Sequence, residues 1–157
     1  MTRPRVLGVG NRLRRDDGVG PWVAGELARR VGGGVDVRQL AGDGFSLLDA
    51  FGGAHQVLLV DAVQSGAPPG TVHRLDAAAG PLPAAVLRCS THLLGVAEAV
   101  ELARALGDLP RQLTVYGIEG ADFSTGEGLS PAVTAAAAAL VETLAEQLAD
   151  LPCTNTP

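Results

Sequence analysis

Asp16, Asp17, Asp61 and His92 are the residues of this 157-residue chain whose types can do chemistry together. The two adjacent aspartates lie in "LGVGNRLRRDDGVG" at residues 7–20, Asp61 ends the apolar stretch "QVLLVDAV", and His92 sits in "CSTHLLG". One histidine with two carboxylates is a donor set for a first-row divalent ion, because imidazole and carboxylate both suit such metals. Each residue alone has a plainer reading. An aspartate in a glycine-bounded loop is commonly a turn or cap residue, and a histidine just inside a helix start commonly caps or packs. Asp61 is harder to set aside, since a carboxylate on a strongly apolar strand must be solvated at a sheet rim or paired. Neighbouring aspartates point in different directions, so one of Asp16 and Asp17 can cap while the other faces a cleft.

The same opening stretch begins like a dinucleotide loop, and its details argue against one. The third glycine of that pattern falls on Leu13, and the helix is expected only from about Pro21. No acid stands at the end of the second strand to hold a ribose, because "VDVRQL" ends in Gln39 and Leu40. Paired carboxylates would also repel a phosphate. A metal site and a tight turn both stay open.

Other chemistries find less support. Gly44 to Leu48, "GFSLL", lacks the second glycine of a nucleophile elbow. Cys89 and His92 are three residues apart near a helix start and need not face each other as thiol and base. His55 and His73 read as surface loop and strand residues. There is no Walker loop, CxxC or HExxH.

The elements that must position these residues follow from periodicity. Residues 5–9 and 56–63 are continuous apolar runs of buried-strand type, 35–40 alternates like a half-exposed strand, and 71–76 and 112–119 complete five strands. Helices are expected from Pro21 to the "GGG" at 32–34, at 46–51, at 91–106, and from Ser130-Pro131 to about Leu148, with Ser130 as N-cap. Alternating strands and helices predict an α/β fold: a single-domain three-layer αβα sandwich around a mostly parallel twisted sheet of about five strands. Residues 1–150 form one domain and 151–157, "LPCTNTP", a flexible tail. Ligands of such sheets bind beyond the carboxyl ends of the strands, which would bring the 11–18 loop, Asp61 and His92 to one rim.

Composition narrows the partners. A hydrophobic fraction of 46% with 18% charged residues argues against disorder, and a net charge of −5 gives no reason to expect nucleic acid. No apolar run is expected to span a bilayer, the start "MTRPRVLGVGN" does not read as a signal peptide, and two cysteines suit a reducing cytoplasm. Nothing demands more than a monomer.

Taken together, "GVGNRLRRDDGVGPWVA", "LLVDAV", "STHLLGVAEAV" and "VYGIEG" with "FSTGEGLSPAV" resemble, in order and spacing, the nickel-dependent hydrogenase maturation endopeptidases over about residues 5–148. The resemblance implies a cytoplasmic, metal-dependent aspartic-type endopeptidase. It would remove the C-terminal extension of a nickel–iron hydrogenase large-subunit precursor after nickel insertion. Carried over by position, Asp17, Asp61 and His92 are its metal-contacting and catalytic residues, and Asp16 is a loop-shaping neighbour. The resemblance further implies that the nickel arrives on the nickel-loaded precursor and that no organic cofactor is needed. One loop departs from the family pattern: "QLAGDGFSLL" has Gly42 where a threonine is usual and adds Asp43, a candidate for positioning substrate. The rival reading is a non-catalytic metal- or precursor-binding maturation chaperone on the same fold.

Overall fold

The structure, a computed structural model, describes residues 3–83 and 95–150. Five strands form one sheet: β1 (Arg5–Val9), β2 (Asp36–Leu40), β3 (Gln56–Val63), β4 (Val72–Asp76) and β5 (Gln112–Glu119). Their order is β2-β1-β3-β5-β4. Only β4 is antiparallel, on β5 at the edge. Among the described residues four helices cover the sheet: α1 (Val19–Arg30), α2 (Gly44–Phe51), α3 (Val96–Leu106) and α4 (Pro131–Ala149). The single-domain αβα sandwich expected from the sequence is the fold.

Strand alternation divides the core in two. Val6, Leu58, Val60, Tyr116 and Ile118 pack under α1 and α4, while Leu7, Val9, Leu59, Val63 and Val115 pack under α2 and α3. The chain leaves β1 for α1 on one face, reaches β2, then crosses on the other face through α2 to β3. This reversal of strand order opens a crevice outside the carboxyl ends of β1 and β3, the usual ligand position in open α/β sheets.

Two expectations are corrected. α1 begins at Val19, directly after a 3-10 turn at Arg15–Gly18, rather than at Pro21. Proline is tolerated there because the first N–H groups of a helix have no intrahelical acceptor. β3 spans Gln56–Val63 as expected, so Asp61 lies two residues before its end. And α4, with 19 residues and a mean hydropathy of 1.2, is long and apolar enough to cross a membrane by those criteria alone. Its buried stripe at Val133, Ala137, Leu140, Val141, Leu144 and Leu148 lies in the core, the pattern of a helix flanking a sheet. The helix expected at 91–106 starts at Val96 with extended Gly95 as its N-cap, and residues 91–94, like the 151–157 tail, lie outside the described residues.

Candidate functional site

The loop between β1 and α1 is built on close backbone approach. A Cβ on Gly20 would collide with the carbonyl oxygens of Val9 and Val60, and one on Gly8 with the carbonyl of Gly20. Gly10, at φ +148°, lies against the Asp17 carbonyl. The glycines therefore bring helix and loop onto the sheet rather than forming a phosphate cradle. The Asn11 side chain accepts from Leu13 N–H at 2.9 Å, and the Asn11 N–H donates to Asp17 Oδ2 at 3.0 Å. Arg14 Nη1 stands 3.9 Å from the same oxygen.

Asp16 and Asp17 face different surroundings. Asp16 is fully buried. Its Oδ2 accepts from Ala121 N–H at 2.8 Å, Asp122 N–H at 2.9 Å and the Ser130 hydroxyl at 2.8 Å, and its Oδ1 accepts from Ser130 N–H at 2.7 Å. Burial raises its pKa, but these hydrogen bonds together outweigh burial and hold the carboxyl below the usual range. Asp16 is thus a loop-shaping residue, as expected. Ser130 does occupy the N-cap position of α4, yet its hydroxyl makes no cap bond and serves Asp16 instead.

Asp61 stands opposite Gly117 in the β3–β5 register. By alternation it shares the α2/α3 side of the sheet with Leu59 and Val63. Its Oδ1 accepts from the Ala62 N–H at 2.8 Å. Burial, and then the negative charge of Asp17, push its pKa well up against that hydrogen bond. Asp17, from a segment far away in the chain, thus lies near enough for its charge to disfavour ionisation of Asp61. A divalent cation between them would remove that repulsion. His92, the third candidate, lies outside the described residues. Among the described residues no group of three histidine, cysteine or acidic side chains gathers as a metal site.

Asp43 has a local role. It is the N-cap of α2, accepting from Phe45 N–H at 2.9 Å and from the Ser46 hydroxyl at 3.3 Å. Glu119 was not singled out from the sequence and proves to be a buried hub at the end of β5. Both of its carboxylate oxygens accept from the Ser65 N–H, Oε1 also accepts from the Ser65 hydroxyl, and Oε1 lies 3.1 Å from His73 Nε2. His73 is accordingly half-buried and partnered rather than a surface strand residue. The carboxylate sits between serine and histidine, the wrong order for a serine nucleophile with a histidine base. An acid ending an apolar strand was the signal that picked out Asp61, and it applied equally to "TVYGIE".

Comparison with known proteins gives a consistent result. The HycI family, described as hydrogenase maturation protease, matches residues 24–147. The hydrogenase expression/formation protein HupD of Thiocapsa roseopersicina is 32% identical over 147 residues, covering 92% of this chain and 66% of the relative. The chain thus spans just under two thirds of that protein's length. The hydrogenase maturating endopeptidase HybD of Escherichia coli superposes with a TM-score of 0.76 at 27% identity, covering 95% of this chain and 93% of that one. The solution structure of an endopeptidase from Escherichia coli gives a TM-score of 0.79 at 26% identity, covering 99% and 100%.

Proposed function

Since this chain belongs to the hydrogenase maturation protease family, we propose that it is an endopeptidase acting on a nickel–iron hydrogenase large-subunit precursor. In this reading it removes the C-terminal extension once nickel is in place, in the cytoplasm and as a monomer. The metal is the precursor's own and is recognised by Asp17, Asp61 and His92.

What carries the reading is the placement of Asp17, on the loop after β1, and Asp61, near the carboxyl end of β3, with the charge of the first disfavouring ionisation of the second. A divalent cation between the two would remove their repulsion, so the pair favours a metal-loaded precursor over an empty one. Docking the metal would fix the neighbouring peptide in place and convert cleavage into an effectively intramolecular step. The scissile carbonyl is then polarised, or the attacking water activated, beside the site. The arginines of the 11–18 loop and the exposed Leu13 supply a mixed surface around it for the precursor body.

The test is a matched cleavage assay on nickel-loaded and nickel-free precursor. The wild-type chain should cut only the loaded form. Loss of an outer-shell partner typically costs a metal site 10–100-fold, so Asp61→Asn or His92→Ala, losing a direct contact, should slow processing by more than about 100-fold. Thermal melts should confirm that both variants fold. Full processing by either variant would remove that residue from the site. Tight precursor binding without any cut, by the wild-type chain, would favour the non-catalytic chaperone reading instead.

A further inference from the structure

Beside the 15–18 turn lies a groove of about 300 Å³, bordered by Arg12, Arg15, Gly18, Trp22, Leu129 and Glu127. It belongs to the α1/α4 half of the molecule, where Trp22 and Leu129 pack at the margin of the core. Its size is at the lower bound of small-ligand pockets, room for a side chain or two rather than a dinucleotide.

The two arginines of the groove differ in how they are held. Arg15 is matched by the Asp122 carboxylate at 3.6 Å, and its Nη1 also donates to the Glu127 carbonyl at 3.3 Å. Arg12 has only neutral acceptors. Its Nη2 donates to the Pro21 carbonyl at 3.2 Å and to Gln39 Oε1 at 2.7 Å. No carboxylate neutralises it among the described residues, and those two bonds leave the Nε and Nη1 sides of the fork to be used. Glu127 also borders the groove, but it is exposed and its charge is solvated. The groove thus offers a guanidinium anchored at one edge next to an apolar wall, the combination that fits a carboxylate on a methylene stem.

Gly18 lines the groove and directly follows Asp17. Consecutive Cα atoms are about 3.8 Å apart, and an extended peptide advances roughly 3.3–3.6 Å per residue. A peptide held at the carboxylate pair can therefore reach the groove within a few residues. We propose that this groove is a substrate subsite for an acidic side chain of the precursor, its stem against Trp22 and Leu129 and its carboxylate on Arg12. This inference rests on the protease reading above.

Trp22 is the chain's single tryptophan, so its fluorescence reports on the groove directly, without nickel or cleavage. The probes are two capped peptides, acetyl-Ala-Leu-Glu-Leu-Ala-amide and its Glu-to-Gln counterpart, with inorganic phosphate as a third. The glutamate peptide should change the fluorescence saturably and bind at least 10-fold more tightly than the glutamine peptide. Arg12→Gln should abolish the difference and Arg12→Lys retain part of it. On nickel-loaded precursor, Arg12→Gln should raise KM several-fold with kcat little changed. Equal response to both peptides, no saturable response, or phosphate matching the glutamate peptide would overturn the subsite. If Arg12→Gln fails to fold, the two peptides on the wild-type chain decide alone. Normal processing with a silent groove rejects only this inference. A selective groove on a chain that never cuts precursor rejects the protease reading.

Discussion

The Asp16 carboxylate is fully buried and accepts four hydrogen bonds from the segment that leads into α4. Asp17, next along the chain, instead acts by its charge on Asp61 at the end of β3. Replacing Asp16 by asparagine turns one acceptor oxygen into an amide that faces N–H or O–H donors. A buried network broken in this way typically costs about 2–4 kcal/mol. Asp16→Asn should therefore lower the unfolding free energy by about 3 kcal/mol in urea titrations at pH 7, with an unchanged m-value. A loss below about 1 kcal/mol would mean that the four bonds do not hold the loop. The sequence allowed Asp16 to be read as a loop-shaper but could not name its partners. They lie 105 to 114 residues away, beyond any local pattern.

At the scale of elements, the β1–α1 unit depends on glycines that do different things. Gly20 sits where a Cβ would strike the backbone carbonyls of Val9 and Val60, and a strand backbone cannot retreat cheaply. Overpacking of this kind typically costs about 1–3 kcal/mol. Gly25, also in α1, would place a Cβ 3.2 Å from the Gln39 side-chain nitrogen and 3.7 Å from Arg12 Nη2. Both are ends of flexible side chains, and alanine in a helix is favoured over glycine by about 1 kcal/mol. Gly20→Ala should be destabilising by about 2–3 kcal/mol and Gly25→Ala neutral or slightly stabilising, read from paired thermal melts. Equal effects would show that close packing of α1 is not what these positions require. The strands were legible because buried parallel strands read as continuous apolar runs, as at 56–63. The start of α1 was less legible. The 3-10 turn before it is set by the bonds of Arg15 and Asp16 N–H to Gly126 and Asp122 carbonyls, and nothing in "RRDDGVGP" announces those. Ser130 shows the same limit: its position was readable, its hydroxyl's partner was not.

Across the whole molecule, the two ends of the sheet serve different purposes. The carboxyl end carries Asp17, Asp61 and the groove. The amino end is clamped by Arg5, whose Nε donates to Asp36 Oδ2 at 3.0 Å and whose Nη1 donates to the carbonyls of Ala50 and Gly52, each at 2.8 Å. That one guanidinium ties β1, β2 and the end of α2 together. Asp36 also accepts from Arg38 at 2.9 Å, and the Arg38 hydrogen bond, set against burial and aided by Arg5, holds its carboxyl below the usual range. A carboxyl whose folded pKa is lowered adds stability above its unfolded pKa of about 3.9, and that stability is lost as pH falls through the folded value. Asp36→Asn should thus cost about 1 kcal/mol at pH 7, and the gap to wild type should close as pH drops below about 4. Urea midpoints measured across that range check the sign, and a gap that widens on acidification would contradict it. Because this clamp lies at the opposite end of the sheet from the crevice, Asp36→Asn should leave kcat and KM of the proposed precursor cleavage unchanged at 25 °C. A change in either would mean that the amino-end clamp also sets the spacing of the two carboxylates.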